Sequence, residues 1–405
     1  MFRLSSTLTV LPLLALLVMP GCGTPAGDSD TDSGETDSAT DSDTDTTGTD
    51  GNAYDLGDHA SAACVDAMQQ LPAFIAATTA VTEASADASS VDAAYSGTAL
   101  QTFVQQLDSE NMRSDDAGIT AAIAGATASD LVDAEALVLH ALVEGLRSRV
   151  AAPEGGVTDP FAAWDDANCI WEGAFRGPAA DAESWGTDDS DDIVAVVDTA
   201  FRDGHAGISG EPEAAAIDDW VTPPNKQRVE KNHYRIIHRH VAHYATVARD
   251  NADALAARRA LGWFNMFTHR LEGKNTAGIA TVEGILSGSP DAIDPAAVVH
   301  ELNVAFAKRT RKYCDNAVTA SEVGIPSGYK GAVEGSVYTT LLYPDMAANL
   351  SGFDAASYSS DWDAYVEAVR NDDLEMATSA SEGLVAVNCQ YQTEVLGLPE
   401  CTDSE

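Results

Sequence analysis

From about residue 57 onward, apolar residues recur at three- and four-residue spacing through an alanine-rich chain, with hardly any alternating β-branched runs. That period belongs to amphipathic helices and predicts an all-α fold, a multi-helix bundle. The expected helices cover roughly 60–82, 98–108, 130–150, 160–174, 191–203, 226–250, 252–272, 276–287, 295–315, 331–345, 361–371 and 373–395. Thr222-Pro223-Pro224-Asn225 stands before the 226 helix, and Asp294-Pro295 supplies a cap and a first-turn proline to another. The Gly-, Pro- and acid-rich stretches 151–160 and 204–224 read as loops. A faint internal echo links helices 130–150 and 160–174 to 226–250 and 252–272, a His-bearing helix followed by one with Trp and Phe. Two helical pseudo-repeats, with halves 57–205 and 206–405, would suit a helical domain spanning 57–405.

The N-terminal pattern is different. Arg3 precedes the apolar run LTVLPLLALLVMPGC, too short to span a bilayer comfortably, so residues 1–21 read as a lipoprotein signal peptide. Cys22 is the candidate lipidation site and the new N-terminus. Gly23, rather than Asp, follows it and favours the outer membrane, at its cell surface or periplasmic face. Residues 22–56 contain GDSDTDSGETDSATDSDTDTTGTDG, a run without a core-forming side chain, and read as a disordered acidic tether. The membrane is thus an expected partner, through a lipid anchor.

Charge narrows the partners. Without Arg3 the chain carries 21 Lys and Arg against 64 Asp and Glu, a balance of −43. Such a chain has no phosphate-neutralising face for nucleic acid, but it attracts cations. Beyond Cys22 five cysteines remain, with no C-x-x-C. In an extracytoplasmic protein they are disulfide candidates; Cys389 and Cys401 form the most economical pair, and an odd number leaves a free thiol.

Candidate chemistry concentrates in NHYRIIHRHVAHY, residues 232–244, which holds four of the nine histidines. At about 100 degrees per residue, His233, His240 and His243 share an arc of roughly 80 degrees with Val229, Ile236 and Val247, while His238 points elsewhere. Packed imidazoles are one reading of that inward stripe; a metal site is the other. Carboxylate partners for the three imidazoles are Glu230, Glu272 and Glu144, the last at i,i+4 from His140. His269 and Glu272 at i,i+3, His300-Glu301 and Glu283 add further donors. Eight basic residues fall between Lys226 and Arg259, either pairing with acids or building an anion pocket in which arginine forks grip carboxylate or carbonate. No G-x-S-x-G elbow, H-E-x-x-H motif or glycine-rich phosphate loop is present, so no enzymatic activity is expected.

The runs NKQRVEKNHYRIIHRHVAHYATVARDN, ARRALGWFNMFTHRLEG and AGIATVEGILSGSPDAIDPAAVVHELNVAF, with Trp164, Ala167, Trp171 and Gly173 before them, resemble the algal Fe-assimilating, high-CO2-inducible periplasmic proteins and their bacterial relatives. The resemblance covers about 130–315 and implies an all-helical extracytoplasmic protein linked to iron capture. HRLE also approaches the G-x-H-x-x-E motif of the imelysin family, although Phe267 stands where its glycine would be. Together these readings lead to a surface-anchored lipoprotein that binds iron, or another first-row divalent metal, for retention or for delivery to an uptake-system partner. A structural or interaction lipoprotein without a metal is the alternative.

Overall fold

The computed structural model describes residues 54–83, 87–186 and 192–404. The signal peptide, Cys22 and nearly all of the acidic tether lie outside the described residues. Within them the all-α expectation holds: the strands are a two-residue pair, β1 (Ile208–Ser209) and β2 (Ala216–Ile217), closing the 204–224 loop.

Four helices of the first part pack side by side: α1 (Ala62–Thr82), α3 (Ala99–Asn111), α5 (Ala128–Ala151) and α6 (Pro160–Ile170). The short α2 (Ser89–Tyr95) and α4 (Asp115–Gly125) join them. Local chemistry sets the boundaries. The Ser61 side chain accepts from the Cys64 amide at the start of α1, and Thr127 and Asp130 form a reciprocal capping box on α5. The expected helix 160–174 is instead α6, a π-helical turn at Trp171–Phe175, and a separate helix, α7 (Arg176–Ser184). Next, α8 (Ile193–Ala206) packs so closely on α6 that a Cβ at Gly204 would come within 2.1 Å of the Trp164 ring.

A second set of four follows: α12 (Pro295–Asp315), α13 (Pro326–Thr339), α15 (Ala355–Arg370) and α16 (Leu374–Gln390), with α14 (Tyr343–Asn349) between. Here too the last helix ends in a π turn, Tyr391–Val395. The two endings share an Asn-Cys-x-aromatic pattern, Asn168-Cys169-Ile170-Trp171 and Asn388-Cys389-Gln390-Tyr391. Each cysteine is bridged, Cys169 to Cys64 on α1 and Cys389 to Cys401, the latter as expected. Among the described residues Cys314, buried in α12, is the free thiol.

Between the two sets runs α9 (Thr222–Asn251), followed by α10 (Ala254–Asn265) and α11 (Thr276–Leu286). α9 starts four residues before the expected position because Pro223 and Pro224 fit the first turn, whose amides need no helical acceptor. α5, α8 and α10 pack on it, as do α12 and α13. From Val229 to His238 every residue is buried, so the expectation of a single inward stripe is corrected: this helix has no solvent face there. His238, expected to point away from the packed face, is also buried.

Candidate functional site

A polar helix buried all round must satisfy each polar group locally, because water is not available to do so. Along its first half α9 does this with opposite charges. Glu230 accepts from Tyr234 Oη at 3.0 Å and Arg270 Nη2 at 2.6 Å, and Lys231 Nζ lies 2.9 Å from its other oxygen. Glu334 on α13 approaches the same ammonium at 3.2 Å, which also stands 5.6 and 5.3 Å from the rings of Tyr234 and Tyr338. Burial alone would raise the Glu230 carboxyl, but Lys231 and Arg270 outweigh it and hold it at about 2. Two carboxylates and two cations leave the cluster neutral.

The imidazoles are placed one by one rather than together. His233 donates Nδ1–H to Val229 O at 2.8 Å, and its ring lies edge-on to Trp171 and Phe175. His240 donates Nε2–H to Pro178 O at 3.0 Å and stacks on Trp263. His243, half-buried, stacks on Trp185 with ring centroids 3.7 Å apart. Burial pulls His233 and His240 down to about 4, so both are neutral at pH 7. A hydrogen bond from one ring nitrogen to a carbonyl is also how metal-ligating histidines are oriented. Here, however, the rings around them are aromatic and no carboxylate joins them.

The carboxylate candidates are occupied elsewhere. Glu144 and Glu230 line one cavity of about 270 Å³, yet Arg147 and Lys226 line it too, and Glu144 holds Arg147 at 2.6 Å. His140 does not join Glu144; its Nδ1 accepts from Arg113 at 3.0 Å. His269 likewise accepts from Arg147 at 2.9 Å. Glu272 is exposed in a turn beyond α10, because the expected helix 252–272 stops at Asn265 and gives way to a 3-10 turn at Thr268–Arg270. The helical i,i+3 pairing of His269 with Glu272 is thereby corrected. Among the described residues no group of three or more His, Cys, Asp and Glu side chains is arranged to hold an ion.

What the second half of α9 does border is a cavity of about 320 Å³. α9 contributes Arg235, His238, Arg239, Ala242, His243 and Thr246; α12 contributes Val299 and Asn303. Leu341, Pro344, Asp345 and Trp185 complete the lining. Its polar wall is fixed by hydrogen bonds. His238 Nε2 lies 3.0 Å from Asn303 Oδ1, and Asp345 accepts from Tyr391 Oη at 2.5 Å. That tyrosine opens the second π turn, a kind of backbone irregularity that recurs at functional sites. Comparison with family models, curated proteins and solved structures finds no match.

Sequence reasoning singled out the arginines and histidines of this wall. It missed Trp185, Asn303, Leu341 and Asp345, which reach the cavity from distant parts of the chain. The one available signal was Arg235 and Arg239 at i,i+4, placing two guanidinium groups on one side of a helix.

Proposed function

We propose that this protein is a non-catalytic binding module, held to the outer membrane by a lipid on Cys22 and extended from it by the acidic tether, that captures a small molecule beside α9. The observation carrying this reading is the cavity of about 320 Å³, within the roughly 300–1,000 Å³ of small-molecule sites. Its wall combines apolar side chains with a few polar groups set by hydrogen bonds, the composition such sites use to orient a ligand.

Thermal denaturation of the mature chain against a panel of small metabolites tests this. A binder raises the melting temperature further, with the logarithm of its concentration, once that concentration exceeds Kd. Thr246→Trp places an indole at the cavity and should abolish the shift. Ligands that stabilise parent and variant equally would sink the reading. Iron and other first-row ions belong in the same panel. A stoichiometric ion retained through purification and lost in His240→Ala would restore the metal expectation and its uptake partner.

A further inference from the structure

Resting on that reading, we propose that the ligand is a compact, uncharged molecule with a flat aromatic body, its ring lying against Trp185 and the apolar side chains beside it. Charge decides the class. Among the described residues, three charged side chains line this cavity, Arg235, Arg239 and Asp345. Both arginines are already engaged within the protein; Arg239 donates to Ala182 O at 3.0 Å and stands in the field of the Glu183 carboxylate. Asp345 accepts from Tyr391 Oη at one oxygen, 2.5 Å away, and from Asn349 Nδ2 at the other, 2.9 Å away. The two histidines of the lining are neutral at pH 7, since burial takes His238 to about 4 and lowers His243. A charged ligand would shed its water here without meeting an unpaired opposite charge, and burying a charge on those terms is costly.

The rest of the lining is what an uncharged ring needs. Trp185 and His243 lie within 3 degrees of parallel with their centroids 3.7 Å apart, which fixes the plane of the indole. Trp185 is only half-buried and borders the cavity, so part of its ring is open to it. Ala242, Val299 and Leu341 add apolar surface. An aromatic body gains there both by leaving water and by offset or edge-on contact with the fixed ring. At about 320 Å³ the cavity stands near the lower end of the roughly 300–1,000 Å³ of small-molecule sites, which suits a body of one or two fused rings.

Equilibrium dialysis of the full mature chain against one ring in three charge states tests the assignment: indole-3-acetamide, indole-3-acetate and tryptamine. The neutral acetamide should bind roughly tenfold or more tightly than either the anion or the cation. Trp185→Ala should weaken the acetamide by roughly tenfold while leaving the circular dichroism spectrum intact, and Trp185→Phe, which keeps a flat ring, should retain most of the affinity. An unchanged affinity in Trp185→Ala would overturn the placement of the ring. Indole-3-acetate or tryptamine binding as tightly as the acetamide would overturn the uncharged assignment and leave the binding reading standing. Retention of none of the three would overturn the assignment too. In that case a Thr246→Trp variant that still blocks stabilisation by some other metabolite preserves the binding reading, and one that blocks nothing ends both.

Discussion

The two halves of α9 solve one problem in opposite ways. Both are polar stretches of a helix that other helices surround. From Glu230 to Tyr234 the solution is charge against charge: Lys231 is held by Glu230 and Glu334, and Arg270 by Glu230. From Arg235 to Thr246 it is neutral imidazoles hydrogen-bonded to single acceptors, with a cavity left beside them. The difference teaches where function is compatible with burial. A neutralised ion cluster has no capacity for a ligand, whereas a wall of oriented donors around open space does. Cutting into each half separately should therefore give different kinds of damage.

The largest single effect belongs to the charged half. Lys231→Met removes the ammonium while Glu230 stays buried and Glu334 half-buried, and breaking such a pair costs about 3–5 kcal/mol. Urea denaturation at pH 7 reads it directly. Removing the opposing charge as well, as Lys231→Met with Glu334→Gln, should recover part of the loss. A single variant within about 0.5 kcal/mol of the parent, the range of an ordinary surface substitution, would show that the cluster does not hold the helices together.

Acid should separate the halves along the pH axis. His140, His233, His238 and His240 are depressed by burial to about 4 and His269 to about 3. Unfolded, each takes up a proton near 6.5 while the folded form stays neutral. Their contribution is thus fully present above pH 6.5 and is lost as pH falls toward about 4, at about 1.4 kcal/mol per histidine per pH unit. Glu230, held at about 2, keeps its contribution to lower pH and loses it between the unfolded carboxylate value and about 2. Urea midpoints should fall first through the histidine window. Replacing His238 with Gln, which keeps a donor for Asn303, should flatten that first fall; an unchanged slope would place the proton uptake elsewhere.

Much of this architecture was legible because helices announce themselves locally. Asp294 and Pro295 gave α12 its observed start, and the 3.6 period placed α1, α5, α8 and α9 within a few residues. The arginine–histidine face of the cavity was visible for the same reason, since i,i+4 spacing is a local property. What did not show was tertiary. Nothing in NHYRIIHRHVAHY reveals that helices cover every side of its first seven residues, so polar residues there that suggested one inward stripe and one wet face are all enclosed. His233 and His240 looked like members of one group because they lie almost above one another. Trp171 and Phe175 surround one and Trp263 the other, and those rings come from other helices. The π turns likewise need an extra residue per turn that no apolar period announces.

The smallest effect tests whether the basic crowding between Lys226 and Arg259 has one meaning or several. Arg258 grips Asp133 on α5 through both guanidinium arms, and both side chains are partly exposed. Water screens such a pair, and its two oxygens lose little when released, so Arg258→Gln should cost only about 0.2–1 kcal/mol and fade in high salt. Lys231 and Arg258 would then have separate roles: holding a buried cluster and decorating a helix interface. A loss of several kcal/mol at Arg258 would instead mean that the α5–α10 contact depends on charge as much as the buried cluster does, and the contrast between the halves of α9 would no longer be specific to α9.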